Sequence, residues 1–176
     1  MGQAANIQLL HTLDEADKKA LTEVLIDCVE GGASVSFMHP LSPEKAGAFW
    51  QDVAHGVAVG KRILLVARGG DGRIAGTVQL VLGQPENQPH RADVSKLLVH
   101  RRARKQGLGE ALMKAVEQHA RKAGKTTLVL DTATGGGAES LYEKLGWTQC
   151  GCIPDYALWP DGGLCSTSLY VRSVLA

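Results

Sequence analysis

The sequence predicts a single α/β domain, a mixed central sheet with helices on both sides. Two strand-like runs, residues 62–68 and 73–82, flank Gly69-Gly70-Asp71-Gly72, which is a hairpin signal. A strand at 94–99 leads through a basic, glycine-rich turn into an amphipathic helix and then a strand at 126–132. Such a strand–helix–strand unit implies a right-handed crossover between parallel neighbours. A closing strand pair, 147–153 and 165–174, spans a loop at 154–163. At 176 residues the chain is long enough for one sizeable core, and neither a repeat nor a linker divides it, so 1–176 reads as one domain.

The elements follow in order. Residues 6–12 can form a short first strand. Asp14 then starts a helix whose apolar set is Leu21, Val24, Leu25, Cys28 and Val29, ending at Gly31-Gly32. Residues 33–41 read as a loop carrying Ser34, Ser36, Phe37, Met38 and His39. Ser42-Pro43-Glu44 is a helix start, serine capping and proline in the first turn, and Ala46, Phe49, Trp50, Val53 and Val57 supply the buried face. Residues 84–89, rich in proline and asparagine, are loop. In the long helix Leu108, Ala111, Leu112, Ala115, Val116, Ala120 and Ala123 share a face, and Gly124 stops it. Ala138, Leu141, Tyr142 and Leu145 mark a shorter helix.

Composition narrows the function. The net charge of +1 argues against bulk polyanion binding, and few aromatics interleave the one basic cluster, residues 101–105, so no nucleic-acid partner is expected. No apolar run approaches membrane-spanning length, and MGQAANIQLL lacks the pattern of a leader. The four cysteines, Cys28, Cys150, Cys152 and Cys165, form no C-x-x-C, and no paired histidine completes a metal site. A reduced, cytoplasmic protein with no membrane partner and no metal is the expectation.

The turn between strand and long helix carries the clearest chemistry. It reads Arg101-Arg102-Ala103-Arg104-Lys105-Gln106-Gly107-Leu108-Gly109. A helix start leaves amide N–H groups unpaired and slightly positive. Glycines let a diphosphate approach those amides, while the arginines add full charges. The dinucleotide pattern G-x-G-x-x-G fails, because Leu112 stands where its third glycine belongs, and the ATP-type loop is absent. Local chemistry alone leaves both a phosphate cradle and a solvated basic turn open.

Arg104-x-x-Gly107-x-Gly109 after a hydrophobic strand resembles the R/Q-x-x-G-x-G/A signature of the GNAT superfamily of acetyl-CoA-dependent N-acetyltransferases. Downstream, Ala138 followed by Leu141-Tyr142-Glu143-Lys144-Leu145-Gly146-Trp147 is similar to that family's A-x-x-x-Y-E-K-L-G-F. Residues 31–38 and 91–97, with Pro154-Asp155-Tyr156, Pro160-Asp161-Gly162 and Thr167, are similar to the tabtoxin-resistance branch. The resemblance implies a mostly antiparallel sheet in which one parallel strand pair splays apart. It implies that Leu97, Leu98 and Val99 hold the pantetheine arm of acetyl-CoA, with the backbone near Leu98 donating to the thioester oxygen. Amides from Lys105 through Gln106, Gly107 and Leu108 to Gly109, with Arg104 and Ala138, would complete the cofactor site. The family motif makes Tyr142 the acid that protonates the departing thiolate. From the residues alone the stronger reading is a core tyrosine whose hydroxyl has found a partner, and it is the family motif that reverses this.

Asp93 and Asp131, flanking the parallel strands, are the candidate bases for the acceptor amine. The alternative is a pair of solvated strand-end carboxylates. Ser34, Ser36, Gln79 and Tyr156 are expected to line the acceptor pocket. His119 reads as structural, and Cys150 or Cys152 as an acyl-accepting nucleophile has no histidine neighbour in sequence to support it. One departure from the family pattern is Gly135, in Gly135-Gly136-Gly137, where asparagine is common; it leaves the helix start without a side-chain bond. The expected activity is direct acetyl transfer to the amine of a small amino-acid-like acceptor, of toxin-resistance type, with a homodimer left open. A peptide or protein acceptor and a non-catalytic acyl-CoA-binding regulator are the rivals.

Overall fold

The structure, a computed structural model, describes residues 6–175; residues 1–5, part of the stretch read as lacking a leader, lie outside them. In chain order the elements are β1 (Asn6–Leu10), α1 (Glu15–Glu30), α2 (Pro43–Ala58), β2 (Arg62–Arg68), β3 (Ile74–Val81) and β4 (Arg91–Val99). A 3-10 turn (Arg101–Ala103) precedes α3 (Leu108–Lys122), β5 (Thr127–Ala133), α4 (Glu139–Lys144), β6 (Thr148–Leu158) and β7 (Leu164–Ser173). One seven-stranded sheet runs β1-β2-β3-β4-β5-β7-β6. Every neighbouring pair is antiparallel except β4 and β5.

Side-chain alternation along the strands builds two cores. Leu64 and Val66 of β2 pack with Leu21, Leu25 and Trp50 under α1 and α2, while Leu65 and Ala67 pack with Leu112, Met113 and Val116 under α3. Both helix starts are capped as their residues dictate. Asp14 accepts from the Asp17 amide at 2.7 Å, and Ser42 from the Lys45 amide at 3.2 Å. The buried face of α1 matches the five residues read from its periodicity. On α3 the buried set adds Met113 and Glu117. Glu117 tolerates burial because the Trp147 indole donates to it at 3.1 Å, and Arg121 and Arg172 stand 3.7 and 3.6 Å away.

The loop expected at 154–163 starts later than the sequence suggested, since β6 continues through Pro154 to Leu158. It is the edge strand, where proline's missing donor costs nothing, and a register irregularity between Ile153 and Ala157 absorbs the interruption.

Two local events open the middle of the sheet. Ser95 opposes Gln79 and Leu98 opposes Thr77, so Lys96 and Leu97 together face the single residue Val78, a β-bulge. Lys96 takes φ +52° there, a left-handed conformation uncommon for a side chain of its size. The bulge reverses the strand's faces: Ala92 and Val94 point toward α3, whereas Leu98 points toward α1 and α2. The parallel ladder lasts three pairs, ending at Asp93 opposite Val129, after which β5 bonds only to β7. Beyond that point β4 and β5 part, leaving backbone edges unpaired inside the protein.

Candidate active site

The opening between β4 and β5 leads into a groove of about 740 Å³. One wall is Leu97, Leu98 and Val99 with Arg104, Lys105, Gly107, Leu108 and Gly109; the other is Gly136, Gly137, Ala138 and Leu141. Gly107 adopts φ +80°, which turns the chain into α3 without a side-chain cap. Among the described residues no hydrogen bond uses the amides of Lys105, Gln106, Gly107, Leu108 or Gly109. These donors cluster at a helix start beside exposed Arg104 and Lys105, so they fit a diphosphate. Gln106 lines no wall; its side chain donates to the Arg102 carbonyl at 3.3 Å. Across the groove's rim the Glu110 carboxylate accepts from Lys114 and Lys144, both at 2.7 Å, and those bonds hold it down at about 2.

The amide of Leu98 is differently placed from the expectation. His100 donates to the Ala75 carbonyl, so alternation makes Leu98 and Thr77 the next hydrogen-bonded pair, and the Leu98 amide turns toward β3. Val99 turns its backbone away from β3 instead, its carbonyl accepting from Arg104 Nε at 3.2 Å.

Sequence reasoning missed what anchors the basic turn. Asp27 of α1 accepts from the Arg101 amide at 2.7 Å and from Arg101 Nε at 2.9 Å, with His100 Nδ1 3.4 Å away. Burial pushes the Asp27 carboxyl up, but the Arg101 bonds and the neighbouring positive charges outweigh it and leave it below its ordinary value. Asp27→Asn is therefore expected to cost about 1–2 kcal/mol at neutral pH and to raise the KM for acetyl-CoA. Because the folded value is depressed, wild type holds that advantage above about pH 4 and loses it as pH falls through the folded value. Denaturant midpoints of the two proteins should converge in acid.

Beyond the groove lie three smaller cavities, and the 31–41 loop covers the first and third of them. Its Ser34 Oγ donates to the Leu158 carbonyl at 3.0 Å, its His39 amide to the Pro160 carbonyl at 2.9 Å, and Lys96 Nζ donates to Ser36 Oγ at 3.0 Å. One cavity of about 220 Å³ is lined by Ser34, Ser36, Lys96, Leu97, Asp131 and Tyr142. A second, of about 320 Å³, runs under Phe49 and Arg62 to Asp93, Lys96 and Asp131. A third, about 280 Å³, adds Tyr156 and Thr167.

The structure thus brings Tyr142 and Asp131 to one cavity. The Tyr142 ring packs 5.7 Å from Tyr170 and 6.2 Å from Trp147, centroid to centroid. Burial, then the Asp131 and Tyr170 charges, push its hydroxyl up to about 12. Asp131 is exposed and accepts from Thr167 Oγ1 at 3.1 Å. Asp93 is differently occupied: Arg91 pairs with one oxygen and Gln84 Nε2 donates to the other at 3.0 Å. Gln79, expected at the cleft, is instead wholly buried, because β3 is an inner strand under α2; its Oε1 accepts from Arg62 Nη1 at 2.7 Å. Cys150 and Cys152 sit on the outer strand β6 and line none of these cavities. At the triple glycine α4 starts without a side-chain cap, as its sequence suggested, and Glu139 instead accepts from the upstream Gly135 amide at 2.8 Å. Among the described residues no cluster of three His, Cys, Asp or Glu side chains could hold a metal, and no helix is long and apolar enough to cross a membrane.

A parting pair of parallel strands, a helix start with free amides and a buried tyrosine beside the opening define an acyl-CoA-dependent transferase fold. The model of the acetyltransferase (GNAT) family matches residues 21–147, and the chain belongs to that family as an N-acetyltransferase. An uncharacterized N-acetyltransferase from the hisH–hisA intergenic region of Azospirillum brasilense is 35% identical over 127 residues, covering 71% of this chain and 73% of the relative. Among solved structures, yncA of Salmonella typhimurium with its cofactor acetyl-CoA superposes with a TM-score of 0.79 at 19% identity, covering 99% of this chain and 96% of that one. A candidate phosphinothricin N-acetyltransferase gives 0.79 at 18% identity, covering 97% and 100%. At such identities these two structures establish the fold alone.

Proposed function

We propose that the protein acetylates the amine of a small amino-acid-like acceptor, with acetyl-CoA as donor, in the manner of toxin- or antimetabolite-resistance enzymes, and that it works in the cytoplasm. The roofed cavities carry this reading. The 31–41 loop is tied to β6 and to the segment joining β6 and β7, so beneath it the acceptor side offers spaces of about 220–280 Å³ rather than a channel for a polypeptide.

Acetyl-CoA supplies an activated acetyl thioester. Free amides at residues 105–109 would hold its diphosphate, and the Val99 backbone edge would border its arm on the way to Tyr142. Asp131, exposed and bonded only through Thr167, takes the proton from the acceptor ammonium, directly or through water. Tyr142 gives its proton to the leaving sulfur. A phenol near 12 stays protonated across the working pH range, so the acid is always loaded.

The reading is tested by offering a panel of amino acids, small amines and N-terminal peptides with acetyl-CoA and following thiol release. Turnover of small amines is expected; turnover of peptides alone would replace this acceptor class, and cofactor binding without any transfer would make the protein a regulator. Within the same assay Asp131→Asn should lower kcat/KM by about 100-fold. Asp93→Asn should do less, its carboxylate being engaged by Arg91 and Gln84. Equal activity of Asp131→Asn and wild type at every pH would remove Asp131 as the base.

A further inference from the structure

We propose that Lys96 and Arg62 form an oxyanion-binding corner of the acceptor pocket, so that the acceptor is a zwitterion whose carboxylate they hold while its amine meets Asp131. This rests on the function proposed above and names two specificity residues for it.

Both cations line the 320 Å³ cavity, and Lys96 also borders the cavity that contains Tyr142. Each is held there at some cost. Lys96 occupies the bulge at φ +52°, and its ammonium sits 5.8 Å from the Phe49 ring with Ser36 Oγ as its near hydrogen-bond partner. Burial lowers the Lys96 amine; the Asp131 charge opposes that, and Arg62 adds to it by like-charge repulsion. Arg62 lies flat on α2 because residue 56 is glycine: a Cβ there would come within 2.8 Å of Arg62 Cδ. Glycine within a helix is unfavourable against alanine, and here the missing side chain makes room for the arginine side chain. Gln79, wholly buried, gives Arg62 an acceptor while its own Nε2 finds no partner.

Two cations that repel each other across a partly dry cavity are an anion site, because a carboxylate between them relieves both. The remaining charges agree with that polarity. Asp93 is paired with Arg91, which leaves Asp131 as the carboxylate facing a bound ammonium. Cationic corner and acidic partner thus line one cavity, the pair of opposite charges that an α-amino acid or a close analogue presents.

The test runs α-amino acids beside their own carboxamides and decarboxylated amines in the thiol-release assay. Wild type should favour the carboxylates. Lys96→Met should raise KM for the carboxylates roughly 10- to 100-fold, the size of a lost charge-assisted hydrogen bond, and leave KM for the carboxamides within about twofold. Lys96→Arg should recover most of the loss. Gly56→Ala, which displaces Arg62, should shift KM in the same direction without altering acetyl-CoA affinity. Equal use of carboxylates and carboxamides by wild type overturns the corner, as does an equal loss for both in Lys96→Met. If no amine at all is acetylated while acetyl-CoA binds, the proposed function fails, and the corner with it.

Discussion

Replacing Tyr142 by phenylalanine is expected to lower kcat by about 100- to 10,000-fold, the usual contribution of a positioned general acid, while the Kd for acetyl-CoA changes less than twofold. The reason is geometric. The ring is buried against Tyr170 and Trp147, and phenylalanine keeps that packing, so only the proton donor disappears. Single-turnover thiol release measures the first quantity and calorimetry the second. Comparable turnover in the variant would show that the sulfur leaves without help from this residue. The same hydroxyl has a stability signature. Its folded value is raised to about 12, so its contribution is fully present below the unfolded value of about 10 and is lost as pH climbs from there toward 12. Tyr142→Phe should therefore flatten the alkaline unfolding profile in that window.

The second large effect is expected at Gly109. A Cβ at this position would stand 3.3 Å from Leu141 Cδ2 on the opposite wall, so a valine there narrows the groove between α3 and α4. Gly109→Val should weaken acetyl-CoA at least tenfold by calorimetry, because the branched side chain also shields the first amides of α3 from the diphosphate. The fold should persist, since the groove side of this residue is only half buried and α3 keeps its packed face. Unchanged affinity would mean that the cofactor does not pass between these two helices.

Much of the frame was legible because local chemistry and tertiary need coincided. Asp14 and Ser42-Pro43 announce helix starts through bonds made within three residues, and the apolar stripe of α1 matches its buried face residue for residue. The basic, glycine-rich turn was readable for the same reason: its unpaired amides follow from where a helix begins. Gln79 was misplaced because a polar residue in a strand gives no clue that its partner is an arginine 17 positions earlier. Lys96 passed unremarked because nothing in Val94-Ser95-Lys96-Leu97 signals that two residues will oppose one. Asp27 escaped as well, since its target lies 74 residues downstream.

The amino-acid order by itself determined most of the strands, the helix starts and the basic turn with its unpaired amides, since each depends on periodicity and on bonds between near neighbours. Only the tertiary structure decided where β4 leaves β5, which carboxylate is left outside an ion pair and which cations meet at the cavity beneath Phe49. Those depend on strand register and on charges brought together from distant parts of the chain, and Coulomb energy follows distance in space rather than in sequence.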